Sequence, residues 1–266
     1  MAILRLRDRD AITTKEGLIF RVFGYSHPSN AYICDAEYAS SEIFKSTNPK
    51  AFRNKGKLVF YKFYEDEGWK FIQNHFLQYM IFHEMLRKKV IGVEYPDIVD
   101  ERKPDEELRK LIETEPKDEL LLALQNVLEL VTKHSGLLVK NFGVFGSLLH
   151  GFYHPKFSDI DLITYSRKNK VKLCETLQEL YKDRRSLLRN EFESDESIKG
   201  KNWRFQNYSP QEFVWHQQRK MVYGLFNDQK TGRIIKIEFE PVKDWREMGN
   251  KHFSGTEIVQ KGWVRM

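Results

Sequence analysis

Phe142-Gly143-Val144-Phe145-Gly146-Ser147-Leu148-Leu149-His150-Gly151, followed by Ser158-Asp159-Ile160-Asp161-Leu162-Ile163-Thr164, decides the fold of this chain. Residues 138–145 form an apolar-rich run bounded by glycine, the pattern of a buried strand. Gly146-Ser147 then turns the chain into a short helix, with Leu148 and Leu149 on its buried side. A second strand carries Asp159 and Asp161. Side chains two apart on a strand share a face. Both carboxylates therefore project together, while Ile160 and Leu162 point into the core.

Adjacent carboxylates repel, and burial raises a carboxyl pKa. They stay anionic where they hold hard cations, which prefer oxygen ligands. A Gly-Ser turn at a helix start offers backbone N–H groups and a hydroxyl to a phosphate. Together these are the parts needed for phosphoryl transfer assisted by two metal ions.

Gly146-Ser147, a short spacer, then Asp159-Ile160-Asp161 resembles the hallmark of the DNA polymerase beta nucleotidyltransferase superfamily. The resemblance implies an α/β (α+β) fold, a mixed sheet of about four or five strands flanked by helices. It implies transfer of a nucleoside monophosphate from an NTP or dNTP to a hydroxyl acceptor, with release of pyrophosphate. The cofactors would be two Mg2+ (or Mn2+) ions at Asp159 and Asp161. Gly146 and Ser147 would hold the β- and γ-phosphates.

The family also expects a third carboxylate on a later strand. Arg233-Ile234-Ile235-Lys236-Ile237-Glu238-Phe239-Glu240-Pro241-Val242 supplies the candidate. Its apolar residues alternate from Ile235 to Phe239, so Lys236, Glu238 and Glu240 share the other face. Glu238 best matches the place the family usually gives to Asp, and Glu240 is the second choice. As third ligand Glu238 would hold the catalytic ion and help deprotonate the attacking hydroxyl. In archaeal proteins that carry this domain, a segment similar to His216-Gln217-Gln218-Arg219-Lys220 precedes this strand. Arg219 and Lys220 are thus candidates for triphosphate contact, against the plainer role of cations at a helix C-terminus.

Around this centre the chain has 266 residues, room for one large or two small domains. We expect a β-rich N-terminal unit over 1–64, a helical connector over 65–115 and a nucleotidyltransferase catalytic domain over 116–266. In the first, Leu18–Gly24, Ala31–Tyr38 and Lys57–Phe63 read as strands. The opening Arg7-Asp8-Arg9-Asp10 and the later Gly24-Tyr25-Ser26-His27-Pro28 also resemble the start of uncharacterised archaeal nucleotidyltransferase-domain proteins. Residues 66–91 show helical spacing and 92–104 read as a linker. Short helices fit 105–113 and 210–221, a longer one runs from Pro116 to a stop at Gly136, and 167–193 reads as one or two helices. Asn227–Gly232 is a hairpin turn. Glu257–Met266 reads as a last strand.

The net charge of +6 and a pI near 9.1 favour a polyanionic partner. Besides the nucleoside triphosphate, a nucleic-acid 3′ end fits that charge as the hydroxyl acceptor, and a small-molecule acceptor stays open. The loop 45–57, with Lys45, Lys50, Arg53, Lys55 and Lys57 between aromatic strands, could bind nucleic acid; its plainer reading is a solvated loop. The chain lacks the Gly-x-Gly hairpin of the superfamily's DNA polymerases. It is too short for the RNA-binding domains of archaeal CCA-adding enzymes. Its charge argues against a cationic aminoglycoside acceptor.

No apolar run reaches the roughly 18–20 residues that span a bilayer, and the N-terminus lacks a secretory pattern. We expect a soluble, cytoplasmic protein with no membrane partner. Cys34 and Cys174 read as reduced thiols, and His75 and His83 as structural or surface residues. The competing expectation is a nucleotidyltransferase fold that has lost catalysis and binds RNA or nucleotide. Glu in place of Asp at 238 is its one support, and the presence of both Asp159 and Asp161 weighs against it.

Overall fold

Alternating apolar residues build the N-terminal part of the chain strand by strand. The computed structural model describes residues 6–84, 86–194, 198, 207 and 209–242. The strand expected at Glu257–Met266 lies outside the described residues. The chain divides into two compact units, one reaching from the N-terminus to Lys103 and one spanning Pro104–Val242.

The first unit contains β1 (Ala11–Thr14), β2 (Leu18–Val22), β3 (Ala31–Ser40), β4 (Phe52–Lys55), β5 (Leu58–Lys62), α1 (Glu67–His75), β6 (Met80–His83), β7 (Lys88–Glu94) and β8 (Ile98–Arg102). Its eight-stranded sheet runs β4-β5-β3-β2-β1-β8, and β7 pairs with both β3 and β6. Ile12, Phe20, Val22, Ile72, Tyr79 and Val93 close its core.

The helix expected over 66–91 is real only in α1. Tyr79 and Met80 carry helical spacing, but Met80 pairs with Ile91 and Ile81 with Val90 in an antiparallel ladder. The β-branched partners in β7 set the outcome, because strand preference follows cross-strand packing. The linker expected over 92–104 is likewise structured. β7 ends there, Pro96 sits in a 3₁₀ turn over Tyr95–Asp97, and β8 pairs with β1. Residues 65–115 are therefore not a helical connector. His83 is buried, and its Nδ1 accepts from the Leu86 N–H at 3.2 Å, a structural role. Cys34 is buried, Cys174 is partly so, and both are free thiols.

The second unit contains α2 (Pro104–Ile112), α3 (Glu119–Ser135), β9 (Phe142–Val144), α4 (Gly146–His150), β10 (Ile160–Tyr165), α5 (Arg167–Lys182), β11 (Leu188–Asn190), α6 (Pro210–Lys220), β12 (Tyr223–Asp228) and β13 (Arg233–Val242). The Asp118 carboxylate caps α3 by accepting from the N–H groups of Leu120 and Leu121, and Gly136 ends the helix. Ser209 and Glu212 form a reciprocal cap on α6, with Pro210 in its first turn.

The strand expected over 138–145 is shorter than its apolar run. Asn141 Oδ1 accepts from the Leu138 N–H at 2.9 Å and closes a turn, so the strand is confined to Phe142–Val144. The helix expected to reach 193 stops at Lys182. Asp183 and Ser186 accept from the N–H groups of Arg185 and Leu188, a local alternative to helical bonding. β11 then forms an edge strand with Leu188 opposite Phe226.

The sheet order is β11-β12-β13-β10-β9. It is mixed: β10 and β13 run parallel, and the other pairs are antiparallel. This is the α+β architecture expected for a nucleotidyltransferase core. Ile160 and Leu162 of β10 and Ile235, Ile237 and Phe239 of β13 pack with the buried residues of α3 and α5. Burial of each such side chain contributes about 1.5–3 kcal/mol. That core fixes which face of β10 and β13 is left for charge.

Candidate active site

The parallel register of β10 and β13 sets Asp161 directly opposite Glu238. The flanking pairs Ile160–Ile237 and Leu162–Phe239 point into the core. Asp161 and Glu238 therefore lie side by side on the other face. Glu240 is opposite Ile163, one step further along that face. Both carboxylates are half-buried.

Gly146 lies against this pair. Its φ is +60°, and a Cβ built on it would stand 2.6 Å from Asp161 Oδ2. A side chain at 146 would thus be strained and would collide with the carboxylate. The neighbouring Phe145 N–H donates to the Asp161 carbonyl at 3.1 Å, which ties the start of α4 to β10. Ser147 is half-buried, while Leu148, Leu149 and His150 are buried beneath it.

Asp159 sits immediately before β10 and is exposed as a residue. Its carboxyl is nonetheless partly shielded from water, and this raises its pKa above the ordinary 3.8. Lys236 and Arg233 oppose the rise, and Glu191 adds to it. Lys236 and Glu191 form an ion pair at 2.5 Å. The Arg233 guanidinium donates to the carbonyl oxygens of Pro155 and Ser158 and lies 4.0 Å from Glu119. It thereby holds the loop that delivers Asp159. Tyr223 of β12 is the cross-strand partner of Glu238. Burial raises its phenol pKa, and Glu238, Glu240 and Glu191 push it further. Phe145, Ile163, Tyr165 and Val242 form an apolar cluster further along the same face.

A groove of about 560 Å³ opens over β11, β12 and the start of β13, lined by Arg189, Asn190, Glu191, Asn227, Ile234 and Lys236 among others, and neither Asp161 nor Glu238 lines it. Its size is in the range of small-molecule sites. Arg219 and Lys220 lie elsewhere, exposed at the end of α6. The Arg219 guanidinium stacks 4.2 Å from the Trp215 ring centre and lines a groove with Lys170, Cys174 and Glu175 of α5. Met221 and Val222 then connect Lys220 to Tyr223.

The fold thus brings Gly146, Asp161 and Glu238 together, sets Asp159 two residues ahead of Asp161 within reach of Lys236, Glu191 and Arg233, and leaves Arg219 and Lys220 on a neighbouring helix. Sequence reasoning missed Arg233, Glu191 and Tyr223 as neighbours of the carboxylates. Alternation along β13 already put Lys236 on the charged face. Glu191 and Tyr223 gave no local signal, because strand pairing alone brings them in. The donor set of Asp159, Asp161 and Glu238 is all carboxylate oxygen, which suits a hard divalent ion. Among the described residues, no three His, Cys, Asp or Glu side chains already stand close enough together to hold one.

Residues 124–224 match the nucleotidyltransferase domain family. The match includes Gly146, Ser147, Asp159, Asp161, Arg219 and Lys220, and stops before Glu238. It supports nucleotidyl transfer as the general chemistry of this unit. An uncharacterized protein of Methanocaldococcus jannaschii is 25% identical over 256 residues, covering 94% of this chain and 73% of the relative. No solved structure matches the chain. No helix among the described residues is long and apolar enough to cross a membrane.

Proposed function

Taking residues 124–224 as a member of the nucleotidyltransferase domain family, we propose that the chain transfers a nucleoside monophosphate from an NTP or dNTP to a hydroxyl acceptor. The observation that carries this reading is the register of Asp161 beside Glu238, with Gly146 pressed against Asp161. Two carboxylates side by side and a backbone free of a side chain suit a bound triphosphate better than they suit a stable sheet.

Asp159, Asp161 and Glu238 would hold divalent ions, magnesium or manganese. When bound, these ions neutralise phosphate charge and favour ionisation of the acceptor hydroxyl. Gly146 and Ser147 present backbone N–H groups and a hydroxyl to the β- and γ-phosphates. Arg219, which stacks on Trp215 and lines a separate groove against α5, is left out of this reading, and with it the adjacent Lys220. Glu238 accepts the acceptor's proton. The hydroxyl oxygen attacks the α-phosphorus in line, the bond to the bridging oxygen breaks, and pyrophosphate leaves with its electron pair. Arg233 keeps the Asp159 loop in place throughout.

The deciding experiment incubates the protein with each α-labelled NTP and dNTP, magnesium or manganese, and tRNA, single-stranded RNA, primed DNA or total protein. Label should enter one acceptor and be absent with the Asp159→Ala/Asp161→Ala variant. Metal-dependent NTP binding without label in any acceptor would favour the non-catalytic binding protein. The absence of both binding and label would overturn the reading.

A further inference from the structure

The positive charge of this chain is concentrated in one place. Residues 43–64 hold six of the 44 Lys and Arg and none of the 38 Asp and Glu. That leaves 38 of each sign for all the rest, so the net charge of +6 belongs to this segment. Six aromatic residues share the same stretch: Phe44, Phe52, Phe60, Tyr61, Phe63 and Tyr64.

The segment folds as an edge hairpin. β4 is the terminal strand of the eight-stranded sheet, and Lys55 pairs with Leu58 across a two-residue turn of Gly56 and Lys57. Gly56 has φ +61°, the conformation such tight turns need. Lys45, Lys50, Lys55 and Lys57 are exposed. Phe52 is half exposed, its ring edge-on to Tyr61 at 6.0 Å. Arg53 plays a different part: it donates to the carbonyls of Lys50 and Phe52 at 2.7 and 2.8 Å. Tyr64 donates to the Lys50 carbonyl at 3.1 Å. These bonds fix the backbone that presents the lysines.

Lysines on an edge strand also guard against sheet-to-sheet association. That role accounts for Lys55. It does not account for Lys45 and Lys50 ahead of the strand, for Lys57 in the turn, or for an exposed Phe52 ring on the edge itself. Lys45, Lys50 and Lys57 are exposed in a stretch of sequence that itself holds no Asp or Glu, and Phe52 in the same stretch exposes its ring; proteins hold an unpaired strand with such groups, phosphates on lysines and bases on rings. We propose that the β4–β5 hairpin is a binding site for single-stranded nucleic acid. The proposal does not depend on transfer chemistry.

The test measures binding of the full chain to labelled single-stranded oligoribonucleotide and oligodeoxynucleotide over a salt series, by fluorescence anisotropy without NTP. Wild type should bind with a negative salt slope. Lys50→Gln/Lys57→Gln should weaken binding roughly tenfold and flatten the slope of log affinity on log salt by about 1.4, two phosphates at about 0.7 each. Phe52→Ala should cost roughly tenfold with the slope unchanged. Comparison of the two oligonucleotides tells RNA from DNA. Thermal unfolding checks that each variant is folded, and magnesium-dependent NTP affinity should be unchanged in both. Wild-type affinity in the variants, no binding by wild type, or preference for anionic vesicles over either strand would overturn the proposal. Loss of transfer in Asp161→Asn with strand binding intact would leave this site standing.

Discussion

Two pairs of charged residues face each other across strands of this protein, and they obey opposite rules. In the N-terminal sheet, Arg21 of β2 is opposite Asp35 of β3, and the two form an ion pair at 2.8 Å. In the second sheet, Asp161 of β10 is opposite Glu238 of β13. Opposite charges across a sheet contribute about 0.2–1 kcal/mol, and like charges directly opposite destabilise. The first pair is what selection for a stable sheet produces. The second goes against that preference, and departures of this kind concentrate at functional sites.

The largest effect should come from Asp161→Asn. Transfer should fall on the order of a thousandfold or more, with circular dichroism and the unfolding midpoint close to wild type. Full activity would break the contrast, for the like-charged pair would then serve no reaction. Next comes the choice between neighbours on β13. Glu238→Ala should reduce transfer on the order of a hundredfold, and Glu240→Ala by less than about tenfold. The reverse order would move the third carboxylate one register step, to the level of Ile163.

Smaller changes sharpen the other side. Arg21→Ala should lower unfolding free energy by no more than about 1 kcal/mol, because the pair is partly exposed, and leave transfer unchanged. A larger loss in denaturant titration would mean that this pair carries more of the sheet than its exposure suggests. The least effect on stability belongs to Asp159→Asn, and its sign is the informative part. The folded carboxyl has a raised pKa. Its ionisation therefore costs stability once the pH rises through its ordinary 3.8 and the higher folded value. The variant should be as stable as wild type or more so at pH 7, with any advantage gone below the ordinary value. A variant less stable at pH 7 than at pH 3 relative to wild type would contradict the direction given for Asp159.

Local signals carried much of the second unit. Asp118 and Gly136 bracket α3, Ser209 and Pro210 begin α6, and alternation from Ile235 to Phe239 sorts Glu238 to the charged face. Each depends on neighbours a few residues away. β6 and the first part of β7 lie in the stretch 66–91 that helical spacing assigns to a helix, because Tyr79 and Met80 happen to fit its period, and only the Met80–Ile91 ladder decides otherwise. Glu191 and Tyr223 were hidden for a similar reason. Nothing near them in sequence indicates that β11 and β12 will bring them to β13. The pairing of Glu238 with Asp161 lay between these cases: the faces could be read, and the register could not.

The parallel pairing of β10 with β13 also has a consequence for synthesis. After β10 the chain must make α5, β11, α6 and β12 before β13 can lie beside it. Contacts so distant in sequence pay a loop-closure cost before they return any stability. A nascent chain that has already built the Gly146 turn and both aspartates therefore still lacks its third carboxylate. The pairing of Asp161 with Glu238 is completed only when β13 docks, so a ribosome-bound intermediate would hold the Gly146 turn and both aspartates before it held Glu238.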